Sequence, residues 1–209
     1  MKIAVFGATG RTGRPLVEQA LSEGFDLRAL VRDVSRLPVK HERLQVVVGD
    51  VMDPQAVEET VAGADAVVSV LGPAPGAPRD LLSVAAANIV AAMKKHGVRR
   101  LVALTGAGVA DPEDPPSLGR TIMVALLKLL AGHVLRDAEG YARTIRESGL
   151  DWTVVRAPRL TDGPRTGRYR TGRLRLGPGQ TVARADVADC MLKLAQSTAH
   201  VHEMPMIGP

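Results

Sequence analysis

The chain has 209 residues and a formal charge of +5, and 45% of its residues are apolar while only 2% are aromatic. This length suits one compact domain with its own core. The single cysteine excludes an intrachain disulfide, and neither a signal peptide nor a membrane span is expected, which favours the cytoplasm. Because no basic stretch is interleaved with aromatics, nucleic-acid binding is not expected either.

Apolar strands alternate with helical patterns along most of the chain. Strands are predicted at 2–6, 27–31, 44–48, 66–71, 101–105 and 152–155, and helices at 14–22, 54–61 and 80–96, followed by a long helical region up to 148 that breaks near Gly132 or Gly140. The strands are continuously apolar, so both faces of their sheet must be covered. We therefore predict an α/β fold over residues 1–209, a single Rossmann-type domain with a doubly wound, mostly parallel sheet in three αβα layers.

The last quarter of the chain has a different composition. Residues 156–180 are rich in Gly, Pro and Arg, which predicts a loop or irregular hairpin, and a helix at 185–197 and a short strand at 202–206 follow. Segments at about 105–120 and 156–180 are expected to supply the substrate pocket. The second segment holds seven arginines, which form either a solvated face or a surface that steers an anionic substrate: Arg156, Arg159, Arg165, Arg168, Arg170, Arg173 and Arg175.

A glycine-rich turn connects the first strand to the first helix. Its sequence is Gly7-Ala8-Thr9-Gly10-Arg11-Thr12-Gly13, in the strand-turn-helix context that gives such a pattern its meaning. Glycines here allow a tight turn, a close approach of backbone amides to a diphosphate, and close packing of the helix on the strand. Hydroxyls of Thr9 and Thr12 are placed to bind phosphate oxygens. The turn predicts a dinucleotide site at the helix N-terminus.

The end of the second strand indicates which dinucleotide is bound. NAD-binding proteins place an acid there for the ribose diol, and NADP-binding proteins place an arginine near the 2′-phosphate. Arg32 stands at that position, and Arg36 and Arg11 are placed to join it on one phosphate. We therefore predict NADP(H), although a shift of one residue would make Asp33 the ribose ligand instead. Asp50 lies after the third strand, where adenine contacts are expected.

Taken together, these motifs resemble those of the atypical short-chain dehydrogenases with an NAD(P)H-binding domain, and among them the biliverdin-IXβ and flavin reductase group. The phrases Phe6-Gly7-Ala8-Thr9-Gly10, Val31-Arg32-Asp33, Val47-Val48-Gly49-Asp50-Val51 and Arg146-Glu147-Ser148-Gly149-Leu150 are similar to that group. The resemblance implies hydride transfer from NADPH to a flavin, quinone, tetrapyrrole or similar conjugated acceptor. The predicted cofactor contacts are Gly7, Thr9, Gly10, Arg11, Thr12, Gly13, Arg32, Arg36, Asp50, Val51, Leu71, Gly72, Thr105 and Pro158.

Two departures from that group concern the acceptor. Thr105 is followed by glycine where the group has serine, and Arg159 follows Pro158 where the group has histidine. Both changes put tetrapyrrole reduction in doubt. We predict that Thr105 faces the nicotinamide edge and that Arg159 anchors an anionic acceptor through a bidentate contact.

The tyrosine-lysine pair typical of short-chain dehydrogenases is missing, because Tyr141 is followed four residues later by Ile145. Without the lysine, Tyr141 is expected to be a packing residue rather than an acid. Reduction of a flavin or quinone does not require Tyr141 as an acid, since water can supply the proton. The alternative function is a regulator that senses NADP without turning it over, resembling the NmrA group. No metal site is predicted from the histidine spacing, and we expect a monomer or weak homodimer with a small-molecule acceptor.

Overall fold

The computed structural model describes residues 1–73, 76–114, 118–177 and 179–209, with the backbone alone for 118–130. Its strands are β1 (Lys2–Phe6), β2 (Asp26–Val31), β3 (Leu44–Val48), β4 (Ala66–Ser69), β5 (Arg100–Gly106), β6 (Asp151–Ala157), β7 (Arg159–Thr161), β8 (Arg170–Gly172), β9 (Thr181–Ala183) and β10 (Met206–Gly208). Its helices are α1 (Gly13–Ser22), α2 (Pro54–Val61), α3 (Leu81–Lys95), α4 (Leu118–Arg146) and α5 (Arg184–Ala195).

The main sheet runs in the order β3-β2-β1-β4-β5-β6-β10-β8, and each neighbouring pair is parallel except β10 with β8. Strand β1 lies between β2 and β4, so the winding direction reverses beside it. Open sheets of this kind bind ligands outside the carboxyl ends of the strands at such a reversal. The predicted single-domain Rossmann fold is confirmed.

Helices cover both faces of the sheet, as the apolar strands require. Alternate residues of β1 enter opposite cores: Ile3 and Val5 pack with α1 and α5, whereas Ala4 and Phe6 pack with α2, α3 and α4. All four side chains are fully buried. The three αβα layers therefore follow directly from strands that are apolar at every position.

The first amides of two helices, α2 and α3, donate hydrogen bonds to aspartate side chains. Asp53 caps α2 by accepting from the Gln55 amide at 2.9 Å, and Pro54 occupies the first helical position, where no amide is needed. The cap of α3 comes from another helix, because Asp137 of α4 accepts from the amides of Leu82 and Ser83 at 2.9 Å each. This contact fixes α4 against the start of α3.

Helix α4 is kinked at Ala131, whose φ of −146° and ψ of 39° are not helical. The kink lies one residue from Gly132, at one of the two positions where an interruption is predicted. The side of α4 that borders the cleft described below carries residues 131, 134, 135 and 138.

The segment between β6 and α5, residues 158–177 and 179–183, is called the arm. A loop or irregular hairpin is predicted there, but the arm holds three short strands: β7 and β9 pair with each other in a separate parallel sheet, and β8 pairs with β10. The composition of the arm predicts no strands, but backbone pairing of β7 with β9 and of β8 with β10 makes these short segments extended.

The predicted terminal strand at 202–206 is wrong, since β10 begins only at Met206. His200 and His202 have positive φ values of 56° and 61°, which turn the chain before the strand starts. None of the helices in the described part of the chain has the length and apolar character needed to cross a membrane.

Candidate functional site

A cleft of about 630 Å³ opens at the carboxyl edge of the main sheet. Residues that end or follow β1, β2, β3, β4, β5 and β6 line it, so the cleft follows the edge across the reversal point beside β1. Most of the predicted cofactor contacts line this one cleft: Gly7, Thr9, Gly10, Arg11, Thr12, Arg32, Arg36, Asp50, Val51, Leu71, Gly72, Thr105 and Pro158.

The glycine turn packs too closely for side chains. Gly7 has a φ of +87°, and a Cβ there would lie 2.9 Å from the Val70 carbonyl group. A Cβ at Gly13 would lie 2.0 Å from the Gly7 oxygen, and one at Gly10 would lie 3.2 Å from the same atom. The turn is closed by the Gly10 amide, which donates to the Gly7 carbonyl at 3.0 Å. Gly10 and Gly13 therefore let the start of α1 approach the end of β1, and Gly7 lets the turn approach the chain after β4.

The N-terminus of α1 is open to an anion. The side chain of its N-cap residue, Thr12, makes no capping hydrogen bond, and the first turn carries no acidic residue. Backbone amides at such a position attract negative charge. On the far side of the cleft, a Cβ built on Gly72 or Gly106 would meet no atom within 4 Å, so a ligand can approach the backbone there. The site fits a dinucleotide with its diphosphate at α1.

The end of β2 presents guanidinium groups to the cleft. The side chain of Arg32 is 57% exposed, and its Nη1 lies 3.9 Å from Asp50 Oδ2, across the gap between β2 and β3. Arg36 lines the same wall. The side chain of Asp33 is engaged elsewhere: it accepts from the Ser35 amide at 2.9 Å and the Ser35 hydroxyl at 2.6 Å. These hydrogen bonds hold the pKa of Asp33 below its ordinary value.

The opposite end of the cleft is less polar. Thr105, at the end of β5, and Pro158, after β6, line it beside apolar residues of α3, α4 and the β5–α4 loop. Among the described residues that line the whole cleft, Asp50 is the one carboxylate, the other charged groups are arginines, and no His, Cys, Lys or Tyr is present. Groups that exchange protons near neutral pH are therefore missing from this lining.

The structure does not bring two predicted residues into the cleft lining. Gly13 is buried in the contact between β1 and α1, where it permits the glycine turn to close. Arg159 starts β7 with an exposed side chain and lies outside the lining, and its predicted contact with an acceptor is untested. Arg184, the first residue of α5, lines the cleft instead. Its only local signal in the sequence is that it opens a helix after a strand.

The arginine-rich segment is not a uniformly solvated face. Arg156 belongs to β6, and its side chain is only 1% exposed. It donates to both carboxylate oxygens of Asp114, at 2.5 and 2.8 Å, and to the Met204 and Val109 carbonyls at 2.8 and 3.3 Å. Because Val109 lines the cleft, Arg156 holds part of the cleft wall to the sheet.

Helix α5 fastens the arm through two buried aspartates. Asp186 accepts from the amides of Thr166 and Gly167 at 2.7 and 2.9 Å. Asp189 pairs with Arg165 and accepts from the Tyr169 hydroxyl at 2.6 Å and from Lys193 Nζ at 2.7 Å. Burial favours protonation of Asp189, but hydrogen bonds from Lys193 and Tyr169 outweigh it and lower the pKa of that carboxyl.

Tyr141 lies in the core and not in the cleft lining. It is 1% exposed, and its hydroxyl donates to Ser69 Oγ at 2.6 Å. Burial raises the pKa of Tyr141 well above its ordinary value, so the phenol is a poor proton donor. In the ranges that the structure describes, no group of three or more His, Cys, Asp or Glu residues is arranged to hold a metal ion.

A family model described as NAD(P)H-binding matches residues 7–198 of the chain. The chain is 35% identical over 187 residues to the 3-diazoavenalumate denitrifying reductase of a Streptomyces species, a match that covers 82% of this chain and 60% of that protein. The chain spans about three fifths of the length of the first curated relatives that it matches.

Solved structures share the fold over the whole chain. The anaerobilin reductase ChuY of Escherichia coli O157:H7 superposes with a TM-score of 0.82 at 22% identity, covering 99% of this chain and 96% of ChuY. A short-chain dehydrogenase/reductase of Veillonella parvula, solved in complex with NADP, superposes with a TM-score of 0.82 at 21% identity, covering 100% of this chain and 94% of that one. At these identities the likeness is one of fold.

Proposed function

The chain belongs to the NAD(P)H-binding family, and on that premise we propose that it is an NADPH-dependent reductase of flavins, quinones or related conjugated acceptors. One observation carries the proposal: a single cleft joins a glycine turn at a helix N-terminus, two arginines at the end of β2 and a weakly polar end at Thr105. Reductase names among relatives, such as the Streptomyces enzyme, support the reaction class.

The preference for NADPH rests on charge. Arg32 and Arg36 line the wall where the adenosine ribose would lie, and each can pair with a 2′-phosphate. The competing ribose ligand, Asp33, is committed to Ser35. Asp50, whose Oδ2 lies 3.9 Å from Arg32 Nη1, offsets part of this positive charge.

A charge reversal tests the preference. Arg32→Glu is expected to weaken NADPH about 100-fold and NADH by no more than about threefold, because only NADPH carries the phosphate that the arginine meets. Calorimetric titration of both dinucleotides measures the two affinities. Arg168→Glu, an equal change at an exposed arm position, serves as the control and should alter neither. Equal losses for NADPH and NADH in Arg32→Glu would show that Arg32 does not read the phosphate.

Bound NADPH supplies a hydride, and the residues of the chain hold and orient the two planar groups. Thr105 and Pro158 border the end of the cleft where the nicotinamide would lie, and apolar residues of α3 and α4 line the remainder. Since no described lining residue exchanges protons near neutral pH, acceptors whose proton can come from water suit this cleft better than simple ketones.

An acceptor screen tests the reaction. Steady NADPH consumption with FMN, riboflavin or menadione is the expected result, followed at the absorbance of the reduced nicotinamide. The same lack of a proton donor in the described lining also favours a second candidate, a regulator that binds NADP without turning it over. Tight NADPH binding with no turnover across the panel, together with a co-purifying protein, would replace the reductase by that regulator.

A further inference from the structure

Three charged side chains, those of Arg11, Asp162 and Arg184, form an ion-paired bridge beside the cleft. Asp162 receives hydrogen bonds from two arginines, one on each carboxylate oxygen: Arg11 Nη2 contacts Oδ2, and Arg184 Nη1 lies 2.6 Å from Oδ1. Arg11 and Asp162 are exposed, whereas the side chain of Arg184 is only 14% exposed. The hydrogen bond from Arg11, with further help from Arg184, lowers the pKa of the Asp162 carboxyl, which is therefore ionised at neutral pH.

The bridge joins three elements that are far apart in sequence. Arg11 belongs to the glycine turn before α1, Arg184 opens α5, and Asp162 follows β7 in the arm. Both arginines line the cleft, but Asp162 does not. The arm that carries Asp162 is fastened to α5 by Asp186 and Asp189, so the carboxylate is held near the two guanidinium groups.

This arrangement has the chemistry of an anion site. Two guanidinium groups beside the uncapped N-terminus of α1 converge on one carboxylate through separate oxygens. A phosphate group offers oxygens of the same kind with more negative charge, and arginine pairs strongly with it. Arg11 and Arg184 carry two positive charges, and Asp162 carries one negative charge. The net positive charge that remains favours the binding of a further anion.

We infer that Arg11 and Arg184 form a binding pair for the dinucleotide diphosphate and that Asp162 competes with the diphosphate for both guanidinium groups. The inference rests on the proposed function, since it names residues that hold the same cofactor. It separates two roles: Arg32 and Arg36 read the 2′-phosphate, which only NADPH has, whereas Arg11 and Arg184 read the diphosphate, which NADPH and NADH share. Arg11 is thereby assigned to the diphosphate and not to the 2′-phosphate that its place in the sequence predicts.

Binding titrations of the full chain with NADPH, NADH and inorganic pyrophosphate test this assignment. Arg184→Gln is expected to weaken NADPH and NADH alike, about tenfold, because a charge-assisted contact to a shared group is lost. Asp162→Asn is expected to tighten both, about threefold, because an exposed competing ion pair is removed. Pyrophosphate should follow the same direction in each variant, and Arg184→Lys should recover part of the affinity.

Two matched controls carry the same charge changes away from the bridge. Arg168→Gln lies on an exposed part of the arm, and Asp26→Asn lies at the start of β2, at the opposite edge of the sheet. Neither should alter affinity, and urea unfolding of every variant confirms that it is folded.

The outcomes separate the inference from the proposed function. Unchanged affinity in Arg184→Gln, or weaker affinity in Asp162→Asn, would overturn the inference while NADPH binding by the wild type still supports the proposed function. A loss in Arg184→Gln confined to NADPH would assign Arg184 to the 2′-phosphate and also overturn it. A wild-type chain that binds neither dinucleotide would remove the proposed function itself.

Discussion

Two parts of the cleft wall, the glycine end and the arm end, meet at the contact between Arg11 and Asp162 but are held in place by different forces. The glycine turn, β1 and α1 are fixed by close backbone packing, in which Gly13 leaves no space for a Cβ against the Gly7 oxygen. The walls beside β6 and α5 are fixed by the buried ion pair of Arg156 with Asp114, by the amide hydrogen bonds that Asp186 accepts from the arm, and by the pairing of Asp189 with Arg165. The structure of the glycine end therefore depends on the small size of its residues, and that of the arm end depends on the pairing of its charged groups.

This difference determines how each end responds to substitution. The closely packed glycine turn has no space for an added atom, but it contains no buried charged side chain that would be left without a partner by a substitution. A buried ion pair tolerates small changes in volume, but removal of one partner leaves the other charge in a poorly solvated place. The glycine end should therefore be sensitive to size and the arm end to charge.

The largest effect is expected at Arg156. Arg156→Met should lower the free energy of unfolding by about 4 kcal/mol, because the Asp114 carboxylate loses its guanidinium partner at a site where its side chain is 9% exposed. Urea unfolding measures the change. Asp114→Asn and the double variant complete a cycle, and the double variant should lose less than the sum of the two single losses. Additive losses would show that the two residues act independently.

The next effect is expected at the glycine end. Gly13→Ala should lower the free energy of unfolding by about 3 kcal/mol and impair dinucleotide binding, because the added Cβ would meet the Gly7 oxygen at 2.0 Å. Thermal and urea unfolding measure the first effect, and calorimetry measures the second. Gly132→Ala is a matched control, since a Cβ there would meet no atom within 4 Å. An unaltered Gly13→Ala variant would show that the turn adjusts without cost.

The smallest effect is expected at Tyr141. Tyr141→Phe should lower stability by about 1 kcal/mol, the value of one hydrogen bond to Ser69. Turnover with a flavin or quinone should stay within about twofold of the wild type, because the hydroxyl lies in the core and its pKa is raised by burial. A loss of turnover with unchanged NADPH affinity would make Tyr141 a proton donor and would contradict its position.

The sequence was sufficient for the glycine end. Gly7, Gly10 and Thr12 are neighbours in the chain and are recognisable from their spacing between a strand and a helix. Arg32 and Asp50 each follow an apolar strand, and parallel strands bring such positions to one edge. The cleft lining includes all of these residues.

The sequence was insufficient for the arm end. In the sequence Arg156 does not differ from the six other arginines of its segment, but its register with β5 and β10 places it inside the sheet, where its buried charge is paired with Asp114. Arg184 carried no local pattern, and its position depends on the packing of α5 against α1. The last strand begins at Met206 and not at the predicted residue 202, because a turn with positive φ at His200 and His202 precedes it.

Local spacing and apolar periodicity alone determined the doubly wound fold, the dinucleotide turn and the guanidinium at the end of β2. These features depend on residues that are close in sequence or on strand positions that repeat. Only the tertiary structure decided that Arg156 is buried in an ion pair with Asp114, that Arg184 lines the cleft and that Asp162 lies between Arg184 and Arg11. Those outcomes depend on contacts between residues far apart in the chain, where charge pairing and desolvation act only after the elements have packed.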